Sequence, residues 1–114
     1  MIAVIFEVMP HPDRKADYLD MAAQMRPLVD EIDGFISVER FQSLTNPDKL
    51  LSLSFFRDEE AIADWRRLTK HRAAQSAGRA GMFTDYHLRI AHVIRDYGLF
   101  DRDEAPQDSR DKHG

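Results

Sequence analysis

The sequence predicts an α+β fold in which four strands and two helices follow one another in the order βαββαβ. Short apolar runs rich in β-branched and aromatic residues predict strands at 1–9, 35–42, 50–56 and 84–95. Two longer segments, 13–32 and 58–79, repeat their apolar residues at helical spacing. This order is the ferredoxin-like plan, a four-stranded antiparallel sheet with both helices on one face. The other face of the sheet is left bare, which predicts a partner subunit.

The first strand and the first helix are separated by a break at 11–13. Residues 2–8 are almost continuously apolar, which is typical of a strand covered on both faces. Pro27 removes one backbone hydrogen bond from the helix, so we expect a kink or a break there. Gly34 is suited to end the helix in the left-handed conformation. The helix positions predicted to face the sheet are Tyr18, Ala22, Met25, Val29 and Ile32.

The second and third strands are predicted to form an antiparallel hairpin around a polar turn at 45–48. In the second strand, alternation places Phe35 on the face opposite to Ile36 and Val38. In the third strand, three apolar residues share the face opposite the serines at 52 and 54: Leu51, Leu53 and Phe55.

The second helix begins at Asp58, which is a good N-cap, and its sheet-facing stripe contains Ile62, Trp65 and Leu68. Residues 99–114 lack apolar periodicity and are mostly charged or polar. We therefore expect one domain at 1–98, followed by a disordered or extended C-terminal tail.

Composition excludes several classes of function. The net charge of −4 gives no general attraction to nucleic acid or to anionic lipid. The chain contains no cysteine, so disulfides, thiolate nucleophiles and cysteine-bound metals are absent. No apolar run approaches the roughly 20 residues of a membrane span, and no basic segment precedes an apolar run at the N-terminus. We expect a cytoplasmic protein that binds neither nucleic acid nor membrane.

Several short stretches resemble the antibiotic biosynthesis monooxygenase (ABM) domain. On the strands they are Phe6-Glu7-Val8, Asp33-Gly34-Phe35-Ile36, Glu39-Arg40-Phe41 and Leu53-Ser54-Phe55-Phe56. On the second helix, Trp65 is followed by His71-Arg72 and by Gln75. The resemblance covers residues 1–97. It implies a dimeric α+β barrel, in which two subunits pack sheet against sheet, with a pocket between helices and sheet in each subunit.

The resemblance implies more than one function, because members of this family differ in their chemistry. Some oxidise aromatic substrates with dioxygen and no cofactor, and others bind and degrade haem. We expect a homodimeric, cofactor-independent monooxygenase acting on a small quinol-like aromatic molecule, which can itself reduce dioxygen once deprotonated. The alternatives are a non-catalytic dimer that binds a small molecule or has a structural role, and a haem-binding or haem-degrading monooxygenase. Whether the chain is an enzyme stays open at this point.

The haem alternative makes its own sequence prediction. The haem-degrading relatives carry an asparagine on the first strand, a tryptophan on the second helix and an iron-binding histidine ten residues later. Here Trp65 matches, but Gln75 stands at the ligand position and Glu7 stands in place of the asparagine. Because haem iron needs a protein ligand, His71 would have to replace it. We therefore expect no cofactor, with haem as the alternative.

The candidate catalytic residues are His71 and Arg72. An imidazole titrates near neutral pH, so His71 is suited to act as the base, and Arg72 to stabilise an anion. The alternative is that both belong to a solvated basic surface. His87 and His92 are five residues apart on one strand and face opposite sides of the sheet, so we expect no metal site there.

The candidate substrate-binding residues are Trp65, Phe6 and Glu7. Trp65 and Phe6 are suited to form apolar walls. The alternative for Trp65 is that it anchors the helix on the sheet, and the two roles are compatible. An ionised carboxylate in an apolar strand costs several kcal/mol unless it is paired or exposed. Glu7 is therefore an acid or base lining the pocket, the partner of Arg40 or Arg89 in a salt bridge, or a residue at an edge position.

Overall fold

The computed structural model describes residues 1–75 and 81–113, with the side chains of 1–69 and 81–112. The helices are α1 (Lys15–Asp30), α2 (Glu59–Gln75) and α3 (Gln107–His113), and a short 3-10 turn (Pro12–Arg14) precedes α1. The strands are β1 (Ile2–Pro10), β2 (Phe35–Gln42), β3 (Leu50–Phe56) and β4 (Phe83–His92). The predicted βαββαβ order is confirmed, and α3 follows it.

The four strands form one sheet in the order β2-β3-β1-β4, and every neighbouring pair is antiparallel. β1 is a central strand, and its side chains on the face under the helices include Ile2, Val4 and Val8, which are buried. Phe6 of β1 lies opposite Ser52 of β3 and Leu88 of β4. The predicted hairpin of β2 and β3 is confirmed by their continuous pairing up to Gln42 and Leu50.

A bulge in β2 changes which of its side chains face the helices. The pairing with β3 shifts between Phe35 and Ser37, so Phe35 lies opposite Phe56 and packs edge-on against its ring at 5.7 Å. Ile36 is left 52% exposed. The prediction that Phe35 lies on the face opposite Val38 is therefore wrong, because the extra residue of a bulge reverses the alternation.

The first helix packs on the sheet through the predicted stripe. Tyr18 and Val29 are buried, and Ala22 and Met25 line the space beneath the helix. The helix continues through Pro27 to Asp30 without the expected break.

The connection between α1 and β2 is built around Gly34, which has a φ of +92° as predicted. Its carbonyl accepts a hydrogen bond from the backbone N–H of Arg57 at 2.7 Å. Asp58 caps α2 as predicted, since its Oδ1 accepts the N–H of Ala61 at 2.9 Å. The start of α2 is thereby fixed against the end of α1.

The buried residues form two clusters rather than one. The first contains Ile2, Val4, Phe56, Ala61 and Ile62, with Trp65 and Phe35 packed against it. The second contains Val8, Tyr18, Leu50 and Met82, with Phe6, Met21 and Phe83 packed against it. A core divided in this way leaves space between its two halves.

The C-terminal segment, expected to be disordered or extended, contains α3. Arg102 donates a hydrogen bond to the carbonyl of Gly98 at 3.0 Å and lies 5.7 Å from the ring centre of Tyr97. Ala105 is buried. The domain boundary near residue 98 stays a prediction. In the described part of the chain, no helix is long and apolar enough to cross a membrane.

Candidate functional site

A cavity of about 350 Å³ lies between the two helices and the sheet, at the division between the core clusters. Its volume is within the range of small-molecule sites, which starts at about 300 Å³. We call it the helix–sheet cavity. The aliphatic and thioether part of its lining is Val4, Met21, Ala22, Met25, Val29, Val38 and Leu88.

The cavity extends down to the sheet because two residues of β3 at its floor have small side chains. Ser52 and Ser54 lie opposite Phe6 and Val4 of β1, on the face covered by the helices. Both serines are less than one tenth exposed. Where a buried strand usually carries a branched apolar residue, these positions carry a single hydroxyl each, and the missing volume becomes the cavity.

Aromatic rings form the two ends of the cavity. At one end, the ring of Phe6 packs edge-on against Phe83 at 6.1 Å, and Phe83 in turn packs against Tyr18 at 5.6 Å. At the other end, Trp65 lies 6.1 Å from the ring centre of Phe56. The predicted wall residues Phe6 and Trp65 thus line one cavity from opposite ends. Trp65 also packs against the first core cluster, so the anchoring role fits the same position.

Two arginines bring positive charge to this largely apolar space. Arg26 of α1 bonds to Asp30 at 3.0 Å and to the carbonyl of Val38 at 3.2 Å. Arg40 of β2 donates from Nε to the hydroxyl of Tyr18 at 3.5 Å, and its guanidinium lies 5.9 Å from the centre of that ring. Arg40 is exposed, and Tyr18 is buried. Arg40 therefore links the outer edge of the cavity to the buried hydroxyl.

Glu7 does not line the helix–sheet cavity, because it lies on the opposite face of β1. Its Oε2 accepts a hydrogen bond from Arg89 at 3.1 Å and is 3.5 Å from the ammonium of Lys49. The hydrogen bond from Arg89, followed by the charge of Lys49, holds the pKa of Glu7 below its ordinary value. Of the two interpretations open in the sequence, the geometry gives the salt bridge with Arg89. Arg40, the other candidate partner, points to the cavity face.

The predicted catalytic side chains, His71 and Arg72, lie outside the described side chains. The backbone of α2 continues past them to Gln75, and the last described residue before them that lines the cavity is Thr69. Their roles stay predictions from the sequence. His87 pairs across from Glu7 and His92 from Ile2, so the two imidazoles are on opposite faces as predicted. No group of three or more potential metal ligands occurs among the residues that the structure describes.

Sequence reasoning missed most of the polar lining of the cavity, including Arg26, Arg40, Ser52 and Ser54, and it predicted that Tyr18 faces the sheet without assigning it to a site. The alternation of β3 already separated both serines from the apolar face, and Arg40 shares the parity of Val38. The alternation within each strand was sufficient to place the two serine hydroxyls on one face of β3, and the guanidinium of Arg40 on the same face of β2 as Val38. This alternation did not reveal which face the helices cover, because both faces of β3 carry residues that a core accepts.

Comparison with known proteins gives a consistent result. A family model described as antibiotic biosynthesis monooxygenase matches residues 1–77. The chain is 47% identical over 93 residues to the jasmonate monooxygenase ABM of Pyricularia oryzae. That alignment includes 82% of this chain and 43% of the fungal protein, so the chain spans less than half the length of this relative.

Solved structures from Mycobacterium tuberculosis share the fold. Rv0793 superposes with a TM-score of 0.69 at 20% identity, over 85% of this chain and 98% of that one. The haem-degrader MhuD, solved with two haems in its active site, superposes with a TM-score of 0.64 at 17% identity, over 86% and 100% of the two chains. Likeness at such low identity establishes the fold alone. The family match and the 47% identity together show that this chain belongs to the antibiotic biosynthesis monooxygenase family.

Proposed function

We propose that this protein is a monooxygenase that oxidises a small, mainly apolar molecule held in the helix–sheet cavity. The observation that carries the proposal is a cavity of about 350 Å³ with aromatic ends, in a chain of this family. The proposed substrate is a quinol-like aromatic molecule, because flat rings are complementary to the walls formed by Phe6 and Trp65.

The proposed reaction needs no electron source besides the substrate. A quinol and dioxygen give a hydroxyquinone and water: one oxygen atom replaces a ring hydrogen, and the other leaves as water. All four electrons that reduce dioxygen come from the quinol. The protein's part is to remove a proton from the quinol and to keep the reacting ring away from bulk water.

The chain's residues divide this work as follows. We assign the base to His71 and stabilisation of the resulting anion to Arg72, as predicted from the sequence. Phe6 and Trp65 hold the ring from opposite ends of the cavity, and the helices above the sheet exclude water. With the base and the arginine both at the cavity, the quinol is deprotonated where it is bound, and its anion reacts with dioxygen there rather than in bulk water.

Oxygen uptake tests the proposal directly. With a quinol panel and isotopically labelled dioxygen, we expect one labelled oxygen atom in the product for each dioxygen consumed. His71→Ala is expected to abolish turnover while the substrate still quenches the fluorescence of Trp65, and Arg95→Gln, outside the cavity lining, serves as the control. Full turnover by His71→Ala would refute the assignment of the base. Quenching without any oxygenation would favour the alternative, a non-catalytic binding module.

Jasmonate is a second candidate substrate. The observation that favours it is the 47% identity to a protein named as a jasmonate monooxygenase. It enters the same oxygen-uptake panel as the quinols, with product identified by mass spectrometry. Conversion of jasmonate with no quinol activity would replace the substrate in our proposal and leave the cavity assignment in place.

Haem is a poor fit to the described lining of the cavity. Haem iron requires a protein ligand, most often histidine. No imidazole occurs among the described lining residues, and His71, the candidate replacement ligand, lies outside the described side chains, so what disfavours haem is the sequence pattern of α2. The helix position ten residues after Trp65 is a glutamine. We derive no step through haem, and a titration with haemin followed by absorbance tests this directly, since a Soret band with one haem per subunit would revive the alternative.

We further propose that the protein acts as a homodimer formed through the face of the sheet without helices. Ile5, Leu53 and Phe55 are only partly buried there, and Phe41 is 43% exposed. These partly exposed apolar side chains share the face with the ion cluster of Glu7, Arg89 and Lys49, and covering them favours pairing with a second copy. Light scattering is expected to give twice the mass of one chain, and a monomer would contradict the proposal.

A further inference from the structure

We propose that the ligand of the helix–sheet cavity carries a carboxylate, and that Arg40, positioned by Tyr18, binds it at the edge of the cavity. This inference rests on the proposed function only in using the same cavity. It adds a substrate class, a small and mainly apolar monocarboxylic acid, and a residue that determines specificity.

The placement of Arg40 is set by the sheet. Arg40 lies directly across from Ser52, with both side chains lining the cavity. Its Nε donates to the hydroxyl of Tyr18 at 3.5 Å, and the guanidinium lies 5.9 Å from the centre of the Tyr18 ring. Since Tyr18 is only 3% exposed, the group that orients Arg40 belongs to the core.

The surroundings of Arg40 differ from those of other arginines near it. Arg26 is paired with Asp30, Arg57 with Asp33, and Arg89 with Glu7. Within the side chains that the structure describes, no carboxylate pairs with Arg40. The undescribed side chains at 70–80 include no aspartate or glutamate either. The positive charge of Arg40 therefore faces an aromatic ring and the cavity.

The chemistry of this arrangement selects a carboxylate. A guanidinium presents a planar fork of N–H donors that matches the two oxygens of a carboxylate. Among the described lining side chains, Arg40 is the one cation without a carboxylate partner, and its single charge matches a monocarboxylate better than a doubly charged phosphate. The adjoining hydroxyl of Ser52 offers a further donor, and the remainder of the lining is mostly apolar. A carboxylic acid with a short apolar body would place its carboxylate at Arg40 and Ser52 and its apolar part against the remaining lining.

The test compares octanoate with methyl octanoate, which share an apolar chain and differ in charge. Binding is followed by the fluorescence of Trp65, the only tryptophan of the chain, and by calorimetry. We expect octanoate to bind about tenfold more tightly, the effect of one charge-assisted hydrogen bond at a partly exposed site. In Arg40→Gln this preference should vanish, because the affinity for octanoate should fall to that for methyl octanoate.

Three further variants separate recognition from folding. Arg40→Lys keeps the charge without the fork and should recover part of the preference. Tyr18→Phe removes the hydroxyl that orients Arg40 and should weaken octanoate more than the ester. Arg95→Gln removes an exposed arginine outside the cavity lining and should leave both affinities unchanged. Arg40→Gln should keep the urea midpoint of the wild type, so that a change in affinity is not a change in folding.

The outcomes distinguish this inference from the proposed function. Equal binding of the acid and the ester, a preference that survives in Arg40→Gln, or no binding of either probe overturns the carboxylate site, even if quinols are oxygenated. A charge preference that depends on Arg40, with no oxygenation of any substrate, upholds the site and overturns the monooxygenase proposal alone.

Discussion

Replacing Gly34 by alanine tests how the end of α1 is fitted to the start of α2. Gly34 has a φ of +92°, and a Cβ built on it would lie 2.9 Å from the Cβ of Ala61. Ala61 is 1% exposed and is held in the first turn of α2 by Asp58. Moving the Cβ of Ala61 would displace α2, and moving Gly34 would disturb the hydrogen bond between its carbonyl and the N–H of Arg57, so the new methyl group has both a strained backbone and no space.

The magnitude follows from these two terms. A left-handed backbone costs an alanine about 1 kcal/mol relative to glycine. Forcing a methyl group into a packed contact costs about 2 kcal/mol more. Gly34→Ala should therefore lower the free energy of unfolding by about 3 kcal/mol. Gly81 also has a positive φ, +78°, but a Cβ there would meet nothing within 4 Å, so Gly81→Ala should cost about 1 kcal/mol.

Urea unfolding followed by Trp65 fluorescence measures both variants at one protein concentration. Ala61→Gly in the Gly34→Ala background removes the colliding methyl group, so the two substitutions should show a coupling that recovers much of the packing cost. Equal losses for Gly34→Ala and Gly81→Ala, or additive effects of the Gly34 and Ala61 substitutions, would refute the argument that the close contact is responsible.

Two further predictions concern the core and the response to acid. Phe56→Ala removes a side chain that is 1% exposed and packs against Phe35 and Trp65, so it should destabilise the protein by about 4 kcal/mol in the same urea assay. Phe100→Ala, at a position 95% exposed, should change stability by less than about 0.5 kcal/mol. The hydrogen bond from the N–H of Ala61, followed by that from Arg57, holds the pKa of Asp58 below its ordinary value. The ionised Asp58 therefore stabilises the folded state above its unfolded pKa of about 4, and this stabilisation is lost as the pH falls below that value. The urea midpoint should fall on acidification, and the deficit of Asp58→Asn relative to wild type should shrink below about pH 4; a deficit that does not depend on pH would contradict this.

The order of the elements and the ends of the helices were predictable from the sequence because each depends on local chemistry. The cap at Asp58, the left-handed Gly34 and the stripe that includes Tyr18 and Val29 are all read within a few residues of one another. Their positions in the structure agree with the predictions because no distant residue competes with these local preferences.

The bulge in β2 and the polar part of the cavity were not predictable in the same way. A bulge is a property of two paired strands, and nothing in residues 35–37 alone requires one. The partner of Glu7 depended on which strand lies beside β1, so Arg40 and Arg89 were equivalent until the order β2-β3-β1-β4 was known. We assign carboxylate binding to Arg40 because it lacks a carboxylate partner among the described side chains, and this can be seen only once the strands and helices are placed in three dimensions.

The serines on β3 have a consequence for how this protein can change over evolution. The helix–sheet cavity owes its floor to the size of two side chains rather than to a gap in the backbone. Its depth can therefore be altered by single substitutions at Ser52 or Ser54 while the strand pairing is kept. Larger apolar residues there would fill the cavity and bury more apolar surface, up to the point of overpacking. The size of the cavity and the pairing of the strands are thus set by different parts of β3, the first by two side chains and the second by the backbone.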